Sequence, residues 1–297
     1  MSREAVTTTG NIAAPRAVVT GASSGIGLEF SRQLADMGYN LLMVSNELAP
    51  LTQHAARIAA DTGVDAVPLC VDLTAPDAVG RITGWLMERG ETPRLLINNA
   101  GIFDFKAVED LSPRRIDLYI DLHMRAVTHL TREIGDMMAR NDRTAADGGI
   151  KGYILNMSSM SCWMPMPGIA MYSATKAYIR AFSRAYRVEM KSRRVSVTVA
   201  CPGGIATNLF GLPRRWQKVG VAVKALDTPE RFVGKALRKT LRGKAQYING
   251  GLNRLSIVAV ASLPEWGRSL IKKCLLDRLG KPSSPAAESP GNKLQTD

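Results

Sequence analysis

The chain has 297 residues, 45% of them apolar and 22% charged, enough apolar material for one large core and too much for a disordered or fibrous chain. Net charge is +13 and uneven: residues 1–179 carry 16 basic and 19 acidic side chains, whereas residues 180–297 carry 23 and 7, a local excess of +16. That excess calls for a polyanion, whether anionic lipid, a phosphate-bearing substrate or nucleic acid. No apolar run approaches the ~18 residues that cross a bilayer. The N-terminal MSREAVTTTG has no apolar stretch behind its charge, so a cytoplasmic chain is expected.

In chain order, residues 1–14 lack any period and are expected to be a flexible tail. Short aliphatic or β-branched runs follow at 17–20, 41–45, 66–71, 95–97, 153–157, 195–200 and 246–248. Between them lie segments of helical period, including 28–37 closed by Gly38, 76–89 closed by Gly90, and 113–140. Runs alternating with helices predict the α/β class: a doubly wound, Rossmann-type parallel sheet of about seven strands in a single domain over 15–251. The polar stretch 141–149 reads as a surface loop. Residues 252–281 read as a basic amphipathic segment and the Pro- and Ser-rich 282–297 as a second flexible tail.

Cys70, Cys162, Cys201 and Cys274 stand 92, 39 and 73 positions apart, too far for a redox pair or a zinc knuckle, and read as buried thiols. His123 and His129 lie six apart, on different faces of a helix, so no metal is expected.

The first strand runs into Thr20-Gly21-Ala22-Ser23-Ser24-Gly25-Ile26-Gly27 and then a helix. Gly21 suits the tight turn, Gly25 lets a pyrophosphate reach the backbone, and Gly27 lets helix and strand pack closely; the phosphates would sit on the helix N-terminus. A plain β-to-α turn is the bland alternative, made less attractive by the strand-turn-helix context. The G-x-x-x-G-x-G spacing resembles the short-chain dehydrogenase/reductase family. Further motifs agree: Asp72 after the third strand, Asn98-Asn99-Ala100-Gly101 after the fourth, Ser159 thirteen residues before Tyr172, Tyr172-x-x-x-Lys176, and Pro202-Gly203 followed by Thr207. The resemblance covers about 17–207 motif by motif and implies that Asp72 holds the adenine, and that Pro202, Gly203 and Thr207 close over the nicotinamide.

Tyr172 and Lys176, four apart on one helix, point the same way. The ammonium is expected to stabilise the phenolate and bring its pKa down toward working pH. Tyr172 would then protonate a carbonyl oxygen as hydride arrives, Lys176 would also bind the ribose hydroxyls, and Ser159 would hold the same oxygen. His123 falls where the family usually has an asparagine supporting a water relay; it is read either as that relay or as a packed helix residue.

The second strand ends at Ser45-Asn46, where a carboxylate would accept the ribose diol of NAD. Ser45 permits a 2′-phosphate and Asn46 replaces a frequent arginine, so NADP is the expected cofactor, with NAD possible. Met160, Cys162, Trp163, Met164 and Met166 are expected to form an apolar substrate wall, and 209–216 a lid, although packing of the core or an interface explains both equally. An apolar wall beside a basic patch suits a lipophilic ketone or alcohol with an anionic head, and the sequence resembles the branch with very-long-chain 3-oxoacyl, 3-ketosphinganine and steroid reductases. A non-catalytic dinucleotide sensor is the competing class, opposed by the intact Ser159, Tyr172 and Lys176; a dehydrogenase of sugars or polyols is a third. A homo-oligomer is expected, nucleic acid is not, and residues 252–281 either lie on an anionic membrane surface or cover the protein itself.

Overall fold

The computed structural model describes residues 14–141, 149–206, 226–251, 253, 257 and 260–271. Seven strands form one parallel sheet: β1 (Arg16–Thr20), β2 (Asn40–Ser45), β3 (Ala66–Cys70), β4 (Leu95–Asn98), β5 (Gly152–Met157), β6 (Val195–Ala200) and β7 (Gln246–Tyr247). Their order is β3-β2-β1-β4-β5-β6-β7. The alternation of strand and helix already called for this arrangement, because a parallel connection must cross a face of the sheet.

Both faces are covered, which is why the strands read as continuous apolar runs rather than alternating ones. Ala17 and Val19 pack with Leu41, Met43, Leu95 and Ile97 on one face; Val18 packs with Leu42, Val44 and Leu96 on the other. Helices α1 (Gly25–Asp36), α2 (Leu48–Thr62) and α7 (Pro229–Leu241) supply Phe30, Leu34, Leu51 and Phe232 to the first layer. Helices α3 (Ala78–Glu88) and α5 (Ala126–Arg140) supply Ile82, Leu86, Leu130 and Ile134 to the second. Each such fully buried side chain contributes about 2 kcal/mol of transfer free energy.

Local chemistry sets the helix ends. Ser112 accepts from the Arg115 N–H ahead of α4 (Pro113–Ile120), and Thr228 accepts from the Arg231 N–H ahead of α7, each with proline in the first turn. The helix expected over 113–140 is not continuous. A π-helical turn at Asp121–Arg125 separates α4 from α5, and its extra residue turns His123 into the buried interior. Further along the described chain lie α6 (Ala170–Glu189) and the short α8 (Glu265–Ile271). The strand order reverses between β1 and β4, so a crevice opens beyond their C-terminal ends.

Candidate active site

The crevice is a cavity of about 870 Å³. At the end of β1, Gly21 takes φ +65° and Gly25 φ +55°, the left-handed conformation that glycine tolerates best. The turn is braced from β4: the Asn99 side chain donates to the Thr20 and Gly21 carbonyls at 3.1 and 3.4 Å, and the Thr20 hydroxyl accepts from the Asn99 and Ala100 N–H groups. Helix α1 begins at Gly25, with no side-chain cap on its first N–H groups and no acidic residue in its first turn. A Cβ at Gly25 would meet nothing within 4 Å, so the backbone there is open on the side of the cavity it lines. Uncapped amides, an open approach and a positive helix end suit a pyrophosphate. These residues therefore fit a dinucleotide, with Gly21, Ser23, Ser24, Gly25, Ile26, Ser45, Asn46 and Asp72 lining its place.

Ser159, Tyr172 and Lys176 line the same cavity, as do Asn99, Ala100, Gly101, Pro202 and Gly203. Ser159 leaves β5 at the start of a short 3₁₀ turn, and its oxygen caps that turn by accepting from the Ser161 N–H at 3.2 Å. Tyr172 and Lys176 project from the buried face of α6, and Phe103 packs edge-on to the Tyr172 ring at 5.0 Å. The Lys176 ammonium donates to the Met157 carbonyl at 3.0 Å and lies 5.5 Å from the Tyr172 ring centroid. The expected lowering of the phenol pKa is not what the buried pair shows. Burial pushes Tyr172 up to about 12, opposed by the Ser159 hydroxyl bonded to its oxygen, and burial brings Lys176 down to about 8. Desolvation is the largest influence on the phenol, and the nearby Cys162 thiol adds to it.

His123 does not line the cavity. Its Nε2 accepts from the Ile102 N–H at 3.0 Å, which places the ring proton on Nδ1, 2.9 Å from the Thr175 hydroxyl; that hydroxyl in turn donates to the Tyr172 carbonyl at 3.0 Å. Burial, with help from Lys176 and Arg115, holds its pKa well below the usual histidine range, so the ring is neutral. It ties the segment after β4 to the helix carrying Tyr172. Gly101 passes close by: a Cβ there would lie 2.9 Å from His123 Nε2 and 3.5 Å from Lys176 Nζ.

Other expectations divide. Thr20 and Gly27 shape the turn from behind rather than lining the cavity. Asp72 lines it while accepting from the Thr74 N–H and hydroxyl. The Gly203 N–H is held by Asn249 at 2.7 Å, so the late Tyr247–Gly250 stretch buttresses the turn after β6. Thr207 and 209–216 lie outside the described residues, as do 1–13, 142–148, 272–281 and 282–297. The apolar wall is displaced: Cys162, Trp163 and Met166 line a second cavity of about 500 Å³ against the outer face of α6, together with Arg268. Cys70 and Cys162 are half-buried rather than core thiols, and a hydrogen bond between Cys162 and Cys201 lowers the first and raises the second. Glu47, Arg115, Leu118, Leu122 and Ile205 line the main cavity without having been singled out, because they sit on turns and short helices that carry no motif.

Comparison with known proteins agrees with this arrangement. The short chain dehydrogenase family model matches residues 15–218. The very-long-chain 3-oxoacyl-CoA reductase of Bos taurus is 31% identical over 256 residues, 84% of this chain and 76% of its own. An uncharacterized short-chain dehydrogenase/reductase of Sinorhizobium fredii is 32% identical over 76% of this chain and 83% of its own. Among solved structures, a short-chain dehydrogenase from Sphingobium yanoikuyae in complex with NADPH superposes with a TM-score of 0.68 at 25% identity, covering 92% of this chain and 99% of that one. With a glycine turn shaped for a pyrophosphate, a Tyr-x-x-x-Lys pair in the same cavity and a family match over most of its length, the chain belongs to the short-chain dehydrogenase/reductase family of oxidoreductases.

Proposed function

We propose that the chain reduces a lipophilic ketone to the secondary alcohol with NADPH; the observation that carries this reading is one cavity lined both by the glycine turn and by Ser159, Tyr172 and Lys176. A bound nicotinamide supplies the hydride. Tyr172, kept protonated by burial, donates its proton from the phenol oxygen to the substrate oxygen. Ser159 donates to that same oxygen and stabilises its developing charge. Lys176 recharges the phenol and holds ribose hydroxyls, while His123 positions α6 against the segment after β4.

Support for a lipophilic substrate comes from Phe103 against the reacting phenol and from Ile102, Leu118, Leu122 and Ile205 in the cavity lining. The kinship with a 3-oxoacyl-CoA reductase points the same way. Support for NADPH comes from the Sphingobium relative. An NADPH-oxidation screen over 3-oxoacyl thioesters, 3-ketosphinganine, steroid ketones and sugars tests the reading; turnover of sugars alone overturns the lipophilic part.

Lys176 carries a pH signature. Its folded pKa of about 8 lies below the ordinary 10.5, so below pH 8 both folded and unfolded chains bind the proton and the folded state bears the full cost of a buried cation. Between these values the unfolded chain binds more protons, and stability rises with pH. Lys176→Met lacks this dependence. Relative to that variant, the parent should gain about 1–3 kcal/mol between pH 7 and 10.5, as read by denaturant melts. A pH-independent difference would contradict the burial of a charged lysine.

Among the described residues no helix is long and apolar enough to cross a membrane. In the basic C-terminal segment, Trp266 is 72% and Leu270 57% exposed, four apart on α8, whereas Ile257 is buried. This supports surface attachment: an aromatic and an aliphatic side chain on one face, with Arg254, Arg268, Lys272 and Lys273 near them in sequence. Co-sedimentation should occur with anionic vesicles, not neutral ones, and weaken with salt. Equal recovery in the supernatant with both would leave the basic surface to a phosphate-bearing substrate.

A further inference from the structure

Ser45 at the end of β2, considered alone, leaves room for a 2′-phosphate. The fold alters that picture by returning Glu47, two residues later, over the glycine turn. The Ser23 hydroxyl donates to Glu47 Oε2 at 2.6 Å, the Ser45 hydroxyl donates to the Ser23 oxygen at 2.9 Å, and the Glu47 N–H donates to the Ser45 oxygen at 3.3 Å. The chain of donors runs one way and ends on the carboxylate. Ser23 therefore spends its proton on Glu47, and one carboxylate oxygen is fixed in place over the turn. Glu47 lines the cavity beside Ser45 and Asn46, where the adenosine ribose follows from the pyrophosphate seat at Gly25.

No cation among the described cavity-lining residues offsets it. Among the described residues lining the cavity the basic ones are Arg115 and Lys176; Arg115 is engaged by Asp104 at 2.7 Å and Lys176 by the Met157 carbonyl. A carboxylate held at this place accepts a ribose diol and repels a dianionic phosphate.

We infer that Glu47 is the residue that sets cofactor selectivity, holding down the preference for the 2′-phosphorylated dinucleotide so that the unphosphorylated one is also used. The inference rests on the reading of the cavity as a dinucleotide site. Glu47 is exposed, so its field is screened and the effect is moderate, on the order of tenfold.

Calorimetric titration with ADP-ribose and 2′-phospho-ADP-ribose tests it without turnover. In Glu47→Gln the ratio of affinities should move about tenfold toward the phosphorylated ligand, part of it through weaker ADP-ribose binding as the charged acceptor is lost. The parent's ratio should drift the same way as salt rises, because screening weakens the repulsion; the variant's should drift less. A ratio unchanged within about twofold, with both ligands binding the parent, overturns the role of Glu47 and leaves the dinucleotide site standing. Failure of the parent to bind either ligand overturns the site and the inference together.

Discussion

Tyr172→Phe is expected to reduce ketone reduction about a thousandfold while leaving folding and dinucleotide binding close to those of the parent. The phenol oxygen is the only group removed. The ring keeps its edge-on contact with Phe103, and the helix keeps its Thr175 and His123 ties, none of which involves that oxygen. Among the described residues the bond lost is the one to Ser159, worth about 1 kcal/mol. Because burial holds the phenol protonated up to about pH 12, the parent's donor is available across the neutral range for reduction. The reverse reaction needs the phenolate, so alcohol oxidation should rise with pH where reduction does not. Rates in both directions from pH 6 to 10, measured for parent and variant, check this; near-parental reduction by Tyr172→Phe would remove Tyr172 from the chemistry.

Much of this site was legible in the sequence because it is written at short range. The glycine turn, Tyr172-x-x-x-Lys176 and the seven strand runs are local patterns, and each strand run fell within a residue or two of the observed strand. What escaped depends on return paths of the chain. Glu47 meets the glycine turn only once the turn after β2 folds back to Ser23, and the π-helical turn that buries His123 leaves the helical period of 113–140 nearly intact. The wall of Cys162, Trp163 and Met166 is apolar as expected, but the 3₁₀ turn after Ser159 sends it to the far side of α6, where spacing along the chain gives no direction. The phenol pKa departs from expectation for a related reason: an i, i+4 cation is a local feature, whereas desolvation comes from everything packed around the pair.

Gly27→Ala and Gly25→Ala should separate the two duties of the glycine turn. Gly27 has ordinary helical φ, so backbone propensity alone would favour alanine by about 1 kcal/mol. A Cβ there, however, would lie 2.0 Å from the Gly21 carbonyl oxygen and 2.6 Å from Asn99 Nδ2. Neither neighbour can yield easily: the oxygen belongs to a turn at φ +65°, and Asn99 bridges the Thr20 and Gly21 carbonyls. Overpacking against fixed backbone outweighs the propensity gain, and Gly27→Ala is expected to lose about 3 kcal/mol or more of stability together with dinucleotide binding. Gly25→Ala meets nothing within 4 Å and bears only the left-handed strain of φ +55°, about 1–2 kcal/mol, yet its methyl projects where a pyrophosphate must approach. That variant should fold nearly as the parent does and bind ADP-ribose at least tenfold more weakly. Thermal melts paired with ADP-ribose titration distinguish the two. A Gly27→Ala protein that melts with the parent would show that the turn can relax, and the close contact of α1 with β1 would no longer explain the glycine.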